Sequence, residues 1–414
     1  MMKVCTLSNA FSLEKAVPPK KIGGAEACAE RISRYLAQNG REVIIITQRP
    51  YQGLRSLFPQ VEIQENLKVY SFYPLNIFSI YNTHKKSCLA KALWRIIDLF
   101  NPLPAVFAWM IILREKPDII HNHILHGFSQ FLLLRLIKAT GIPLVQSLHS
   151  YGFFCLRCDL LRHNGKACAE LPFPCNYFAK ISAALIDSIP AIVISPSRFC
   201  LELYEGLRFF PYSRKIVLAN GIEAYAQNPH AQKSALEGRI NILYAGRLVK
   251  IKGVDVLIKA FGQIKDDGLR LYIVGEGYFK PELQRLAAGD TRIRFCGKIS
   301  WHKLKEIYCQ SDITVVPSIY FEILGNVILE SMASGTPVIA SRIGGMPELI
   351  QDGYNGCLFE PGNIEELKGT IERLACDPAK LKTMGGNAFA SSKKYLISDH
   401  ILELEKLYAQ TKTA

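Results

Sequence analysis

Short runs of apolar, β-branched residues alternate with segments of helical periodicity along most of this 414-residue chain. In the second half the candidate strands are Asn241–Ala245, Leu269–Val274, Ile293–Cys296, Ile313–Val316, Pro337–Ala340 and Cys357–Phe359. Helical periodicity fills the intervals between these strands, and each connection is only a few residues long. Alternation of this kind is typical of βαβ units, which build parallel sheets with helices on both faces.

The first half repeats the alternation less regularly. Helical periodicity marks Gly24–Asn39 and 75–115, and the candidate strands are Val4–Leu7, Val43–Thr47, Ile119–His121, Leu144–Leu148, Ala191–Ile194 and Ile216–Leu218. We therefore predict an α/β chain of two Rossmann-like, doubly wound domains, 1–225 and 226–395, that face a cleft. The boundary lies in the polar, Ala-rich stretch 222–238, and the C-terminal helix within 396–414 packs back on the first domain. Ligands of such sheets bind outside the carboxyl ends of the strands.

Positive charge is concentrated in the first half of the chain. Residues 1–225 hold 26 basic and 15 acidic side chains, against 24 and 21 in the remainder. An excess of this kind favours an anionic partner such as a phospholipid surface or a phosphorylated carrier, unless the whole proteome is basic. No nucleic-acid-binding motif accompanies the charge, so we expect no nucleic-acid partner.

The sequence carries little targeting information. The N-terminus lacks the apolar core of a secretory signal, and the apolar run Leu99–Leu113 has only 15 residues and two prolines. The 12 cysteines are therefore expected to be reduced thiols. We expect a cytoplasmic protein with a peripheral contact to the inner face of the cell membrane, because basic residues precede the apolar run. These are Lys85, Lys86, Lys91 and Arg95. An ordinary helix pair that covers the sheet is the alternative.

The loop after the first strand of the second half carries two cations. Arg247 and Lys252 lie in the segment GRLVKIKG, between a predicted strand and a predicted helix. Two cations beside a helix N-terminus suit the dense negative charge of a diphosphate. A solvated basic turn is the alternative.

The loop after the fourth strand of the second half leads to two glutamates, Glu322 and Glu330. Gly325 permits close backbone approach, and the N–H groups of a helix that begins at Asn326 and Val327 suit phosphate oxygens. Glu330 shares a helix face with Asn326, so its carboxylate is placed to accept the hydroxyls of a ribose. Glu322 is placed to accept another hydroxyl, and a solvent-facing pair of glutamates is the alternative.

Two features of the first half also follow predicted strands. Gly23 and Gly24 open a helix and allow a phosphate or a sugar to approach the backbone. They do not form GxGxxG, so a dinucleotide fingerprint is absent. His149 stands at the end of a strand, where it is placed to donate to a reacting sugar or its leaving group. A histidine that is satisfied beneath a loop is the alternative.

Two clusters leave a metal site open as an alternative. The three histidines that follow another strand are His121, His123 and His126, and we expect one of them to line the cleft. The loop after His149 contains four cysteines, Cys155, Cys158, Cys168 and Cys175. They include one CxxC pair but lack the second pair of a zinc ribbon. We therefore expect no bound metal, and we expect free thiols in a loop that forms part of the acceptor wall.

Several segments recur in an order and spacing that are specific as a set. In the second half these are YAGRLVKIKGVDVLIKAF, LYIVGEG, the Glu322–Glu330 pair, TPVIAS and GGMPELIQDGYNGCLFEPGN. In the first half they are GGAE, EKPDIIHNH, LVQSLHSYGFFC, VISPS and VLANG. The set covers nearly the whole chain and resembles the retaining glycosyltransferases of family 4, the glycosyl transferases group 1 superfamily, which have the GT-B fold.

The resemblance implies roles for the candidates. Arg247 and Lys252 would hold the donor's diphosphate, and Glu330 would bind the nucleotide ribose. Glu322 and His149 would contact the donor sugar. The first domain would bind the acceptor and the second a UDP- or GDP-linked hexose, with no metal or other cofactor. The hexose would be transferred with retention to an acceptor hydroxyl, such as that of a lipid-linked or cell-surface polysaccharide precursor, including lipopolysaccharide.

The chain departs from the family pattern at two places. Ser150 replaces the aspartate that often follows the histidine, and Ile323-Leu324 stands where Pro-Phe or Gly-Phe is usual. We expect both changes to alter the choice of sugar. Two other functions remain open: a nucleotide-sugar 2-epimerase of the same architecture, and a non-catalytic partner subunit. The intact cations and glutamates argue against the second.

Overall fold

The computed structural model describes residues 2–11, 13, 23–78, 86–123, 126–162, 167–168, 170–223, 225 and 239–411. The chain divides into two units. Unit 1 comprises residues 1–159, 169–221 and 397–414, and unit 2 comprises residues 160–168 and 222–396.

Unit 1 is built on a sheet of eight strands. They are β1 (Lys3–Leu7), β2 (Glu42–Gln48), β3 (Gln60–Gln64), β4 (Leu67–Phe72), β5 (Ile119–Asn122), β6 (Leu144–Ser147), β7 (Ile192–Ser195) and β8 (Arg214–Val217). Their spatial order is β3-β4-β2-β1-β5-β6-β7-β8, and only the β3–β4 pair is antiparallel. The helices are α1 (Gly24–Gln38), α2 (Cys88–Phe100), α3 (Pro102–Glu115), α4 (Gln130–Thr140), α5 (Cys175–Ile186) and α6 (Arg198–Gly206).

The strands β3 and β4 were not expected from the sequence. Strand β3 lies at the edge of the sheet, and its apolar side chains Val61 and Ile63 are exposed. A strand whose apolar residues face solvent contributes little to the core, so its sequence carries a weak burial pattern.

Unit 2 is built on a sheet of six parallel strands. They are β9 (Ile240–Ala245), β10 (Leu269–Val274), β11 (Ile293–Gly297), β12 (Ile313–Val316), β13 (Val338–Ser341) and β14 (Gly356–Phe359), in the spatial order β11-β10-β9-β12-β13-β14. The helices are α7 (Val254–Gly262), α8 (Lys280–Leu286), α9 (Trp301–Gln310), α10 (Asn326–Ala333), α11 (Ile364–Ala375) and α12 (Pro378–Ser392). The two sheets with their helices confirm the predicted α/β class.

The last helix, α13 (Ile397–Thr411), belongs to unit 1. Its apolar stripe, which includes Ile401 and Leu404, packs in one core with Ile32 and Leu36 of α1. An ion pair of 2.6 Å between Arg41 Nε and a carboxylate oxygen of Glu405 fixes the same contact.

The apolar stretch of α2 and α3 is longer than the run first noted in the sequence. Leu93–Glu115 has 23 residues and a mean hydropathy of 1.9, so by length and composition it is long enough to cross a membrane. The run Leu99–Leu113 is shorter because it omits the preceding apolar residues of α2. In the structure, Asn101 separates α2 from α3, and 39% of the most apolar window is buried. Core helices of soluble proteins share these properties, so the stretch alone assigns no location.

Candidate substrate site

The loops that follow β9 and β12 touch at the carboxyl end of the unit 2 sheet. Gly253 has a φ of 65°, and a Cβ at this position would lie 1.8 Å from the carbonyl oxygen of Pro317. Only glycine therefore allows this approach without strain. A backbone hydrogen bond of 2.9 Å from Ile319 N–H to the oxygen of Ile251 joins the same loops. This contact brings Lys252 beside Glu322.

Lys252 and Glu322 form an ion pair. Glu322 is only 7% exposed, and its carboxylate also accepts hydrogen bonds of 2.7 Å from the hydroxyls of Ser318 and Tyr320. Burial acts to raise the pKa of Glu322, but the charge of Lys252 and these hydrogen bonds outweigh it and hold the pKa below its ordinary value. The carboxylate therefore stays ionised and in a fixed position.

Arg247 lies on the exposed side of the same loop region. Among the residues that the structure describes, its guanidinium forms no hydrogen bond or ion pair, so its five donors are available to an anion. Its carbonyl oxygen accepts a hydrogen bond of 2.9 Å from the hydroxyl of Tyr244. Burial raises the pKa of Tyr244, and the charges of Lys252, Glu322 and Arg247 also act on this hydroxyl. The charges of all three candidates therefore act on one buried tyrosine.

Helix α10 begins where the sequence predicted. Gly325, with a φ of 97°, occupies its N-cap position, and Asn326 and Val327 form its first turn. Glu330 lies one turn further along, where it is half-buried and accepts a hydrogen bond of 3.1 Å from the hydroxyl of Tyr308. Burial, and then the charge of Glu330, raise the pKa of Tyr308 well above its ordinary value, so this hydroxyl remains a donor.

His149 follows β6 in unit 1 and contacts a second histidine. Its Nε2 lies 3.1 Å from Nδ1 of His123, and the two rings stack with centroids 5.3 Å apart. Burial lowers the pKa of His149 to about 4, and the nearby His400 adds to the shift. At neutral pH His149 is therefore uncharged, so it is suited to hydrogen bonding and not to neutralising a phosphate.

Gly23 and Gly24 stand at the start of α1, as predicted. Gly23 is the N-cap residue, and its N–H donates a hydrogen bond of 3.1 Å to the carboxylate of Glu26. A Cβ on Gly23 would lie 2.6 Å from that carboxylate. Glu26 therefore already occupies the anion position at this helix start.

The two alternative metal sites find no support in the geometry. Across the described residues, no group of three or more His, Cys, Asp or Glu side chains is arranged to hold a metal ion. The four cysteines of the loop are free thiols, and Cys168 belongs to unit 2 whereas the others belong to unit 1. Burial raises the pKa of Cys175, and a hydrogen bond with Cys155 adds to this, so that thiol favours its protonated form.

One residue of the expected basic surface is in fact buried. Arg95 is only 5% exposed and donates hydrogen bonds to Gly152 O at 2.5 Å and to Gln130 at 3.1 Å. Its charge faces Asp98, 4.0 Å away, and its bond to Gln130 lies on the side of α2 that packs against α4. Lys85 lies outside the described residues.

Sequence reasoning missed the side chains that hold the candidates in place. Ser318 and Tyr320 both position Glu322, and they occupy the segment between the end of β12 and that glutamate. Their place directly after a buried strand was the available signal. Tyr308 gave no such signal because it lies within α9, where a buried aromatic residue is ordinary core.

Comparison with known proteins identifies the class. The model of "Glycosyltransferase Family 4" matches residues 22–224, and that of "Glycosyl transferases group 1" matches residues 239–377. An uncharacterized glycosyltransferase of Methanocaldococcus jannaschii is 31% identical over 307 residues, which cover 72% of this chain and 77% of that protein. The chain therefore belongs to the group 1 and family 4 glycosyltransferases.

Solved structures agree on the fold. Sucrose-phosphate synthase of Thermosynechococcus elongatus matches over the full length of both chains with a TM-score of 0.76 and 20% identity. Anabaena HepE, solved in complex with UDP and glucose, also matches over both full chains, with a TM-score of 0.69 and 20% identity. The fold is thus that of the GT-B glycosyltransferases, as the sequence predicted.

Proposed function

We propose that this glycosyltransferase transfers a hexose from a UDP- or GDP-linked donor to an acceptor hydroxyl and retains the anomeric configuration. The observation that carries the proposal is the group formed by Arg247, Lys252 and Glu322 at the carboxyl ends of β9 and β12. The likeness to HepE, whose complex contains UDP and glucose, supports a nucleotide-sugar donor. The acceptor is proposed to be a lipid-linked or cell-surface polysaccharide precursor.

The charges of unit 2 suit the chemistry of the leaving group. When the bond between the anomeric carbon and the diphosphate oxygen breaks, negative charge develops on the diphosphate. Arg247 has free donors for that charge, and Lys252 is fixed by its contact with Glu322. Preorganised cations of this kind stabilise a transition state without rearranging. The N–H groups of α10 at Asn326 and Val327 add a helix N-terminus, so the proposed reaction requires no metal or other cofactor.

The first test is nucleotide release. The purified protein is incubated with UDP-glucose, UDP-galactose and GDP-mannose, with and without lipid-linked or free saccharide acceptors. We expect acceptor-dependent release of UDP or GDP, with a product that keeps the donor's anomeric configuration, and no effect of EDTA. Conversion of the sugar at C2 without lasting nucleotide release would establish the epimerase instead. Failure to bind any nucleotide would favour the non-catalytic partner.

The second test separates binding from turnover. Arg247→Ala should lower kcat by about 100- to 1,000-fold, because it removes a donor aimed at developing charge. Glu330→Ala should raise the Kd for UDP or GDP and leave the fold intact. Arg285→Ala removes another exposed arginine, on α8, and is the matched control. Wild-type behaviour of both site variants would refute the site assignment.

The location of the protein is proposed to be the inner face of the cell membrane. Exposed apolar side chains recur every three or four residues along α2 and α3, at Leu93, Ile96, Phe100, Leu103, Val106, Met110 and Leu113. Exposed cations flank them at Lys86, Lys91, Arg114 and Lys116. An apolar stripe with a cationic border suits an anionic bilayer, because the apolar side chains can be buried in it and the cations are attracted to its head groups.

Liposome flotation tests this surface. Vesicles with one-third anionic phospholipid should bind the wild type at low salt and bind it less at high salt. The double variant Ile96→Glu, Met110→Glu should lose binding, whereas Leu402→Glu, on the exposed side of α13, should retain it. Equal flotation of all three proteins would contradict the proposal. Concentration-dependent dimers that only the wild type forms would instead assign the stripe to a second copy of the chain.

A further inference from the structure

A small polar pocket lies at the carboxyl ends of β5 and β6 in unit 1. Asn122, His123, Gln130 and His149 are among the residues that line it. This partly open pocket has room for about one water molecule, so it admits a single hydroxyl and not a sugar ring. No step of the proposed function uses Asn122, His123 or Gln130.

Each of these three side chains is held at one end and unpaired at the other. Asn122 Nδ2 donates to Gln146 at 2.6 Å, which leaves Oδ1 without a partner. His123 Nδ1 contacts His149 at 3.1 Å, which leaves Nε2 without a partner. In both cases the partners considered are those in the described part of the chain.

Gln130 completes the set, and its orientation is fixed by chemistry. Its Oε1 accepts a hydrogen bond of 3.1 Å from Arg95, and arginine has only donors. The amide NH₂ must therefore be the end that finds no partner among the described residues. Three unpaired polar atoms, each on a side chain at most 3% exposed, thus belong to residues that line one pocket. Buried polar atoms are rarely left unpaired in this way without a ligand or a water.

The pocket suits an uncharged ligand. The charge of Arg95 is balanced by Asp98, 4.0 Å away, and burial lowers the pKa of His149 to about 4. The unpaired atoms comprise an acceptor on Asn122, a donor on Gln130 and an imidazole nitrogen on His123. A hydroxyl both donates and accepts, so it can satisfy this combination. An ionised phosphate offers only acceptors, and the acceptor oxygen of Asn122 would repel them.

We propose that Asn122, His123 and Gln130 form a hydroxyl pocket that binds one hydroxyl or hydroxymethyl group of a sugar substrate and makes that group a requirement for binding. The inference rests on the proposed function, because it assumes a sugar substrate. A site that is built to bond a hydroxyl discriminates strongly against the analogue that lacks it, since the analogue leaves the buried groups unpaired.

The experiment measures free-sugar binding and needs no turnover. The affinities of D-glucose, D-galactose, D-mannose and each of their monodeoxy forms are determined by ligand-observed NMR. In the wild type, one deoxygenation should weaken binding at least about 10-fold, and in Gln130→Met the same deoxygenation should cost less than about threefold. The surface variant Gln263→Met is the control and should keep the wild-type penalty.

Two results would overturn the proposal. One is a wild type for which no single deoxygenation matters, and the other is an equal penalty in wild type and Gln130→Met, the pattern of a pocket that holds only water. The affinities of the monodeoxy sugars for the wild type still test the proposal if Gln130→Met does not fold. Turnover with monodeoxy donors and, separately, with monodeoxy acceptors then shows which substrate supplies the hydroxyl. Nucleotide release from the unmodified donors reports on the proposed function independently.

Discussion

The candidate groups of unit 2 are charged, and two of them are paired with each other, whereas those of unit 1 are neutral and only partly paired. In unit 2, half-buried Lys252 forms an ion pair with buried Glu322, and two hydroxyls also donate to that carboxylate. In unit 1, His123 and His149 stack as uncharged rings, and polar atoms beside them lack partners in the described structure. The difference agrees with the two proposals made above: fixed charge for a diphosphate in one unit, and hydroxyl recognition in the other.

The largest expected effect concerns pH, because buried neutral histidines make unit 1 sensitive to acid. Burial lowers the pKa of His121 and His126 to about 3, and those of His149 and His400 to about 4. The unfolded chain takes up these protons from about pH 6.5 downward and the folded chain does not. The free energy of unfolding of unit 1 should therefore fall by about 1 kcal/mol for each of these histidines between pH 7 and 5.5, or by several kcal/mol in total.

Other titrating groups change the expected loss of stability in acid, and a control variant is needed to assign that loss to the histidines. Burial raises the pKa of Asp98 to about 6, so this carboxyl takes up its proton in the folded state first and opposes part of the loss. In unit 2 the lowered pKa of Glu322 costs stability only below about pH 4.5. Hydrogen exchange read separately on β5 and β12 should thus show unit 1 weakening first. His400→Gln should reduce the loss, and His302→Gln, at an exposed site of unit 2, should not. An equal loss of protection in both units as the pH falls would contradict the proposed difference between them.

The sequence predicted the strands and helices best where burial leaves a regular pattern. β12, with four buried apolar or β-branched residues, was predicted with its observed bounds. Edge strand β3 was missed because its apolar residues face solvent, and Arg95 was assigned to the surface because its burial depends on Asp98 and on the distant Gly152. Periodicity along one element cannot show a partner that another element supplies.

The candidate site shows the same limit. Arg247, Lys252, Glu322 and Glu330 were chosen because they follow strand ends, and the charges of the first three all act on the hydroxyl of Tyr244. The pairing of Lys252 with Glu322 depends on two loops 70 residues apart touching at Gly253. No local pattern encodes such a contact, nor the unpaired ends of Asn122 and Gln130. The roles of these residues in substrate binding stay predictions.

The second prediction concerns stability and uses the ion pair of unit 2. Lys252→Met removes the cation and leaves the Glu322 carboxylate buried with two hydroxyls, so the free energy of unfolding should fall by about 3–5 kcal/mol. The double variant Lys252→Met, Glu322→Gln removes both charges and should recover most of that loss. Urea denaturation of the single and double variants measures the coupling.

A neutral substitution in unit 1 is the matched comparison. His123→Gln keeps a polar side chain and removes no charge, so it should cost only about 1 kcal/mol. If Lys252→Met cost no more than His123→Gln, the ion pair would not distinguish the two units, and the argument for fixed charge in unit 2 would lose its support.

The smallest effect is expected at Glu330, which is half-buried and can still be hydrated. Tyr308→Phe removes the hydroxyl that donates to this carboxylate at 3.1 Å and keeps the ring that packs against Leu243. Water can replace part of the lost hydrogen bond, so nucleotide affinity should fall by about fivefold, close to 1 kcal/mol, with kcat unchanged. Calorimetric titration with UDP and GDP measures this, and Tyr354→Phe, at an exposed tyrosine of unit 2, is the control. A fall in kcat with unchanged affinity would move Glu330 from ribose binding to the reacting sugar, and the charged groups of unit 2 would then serve more than the nucleotide.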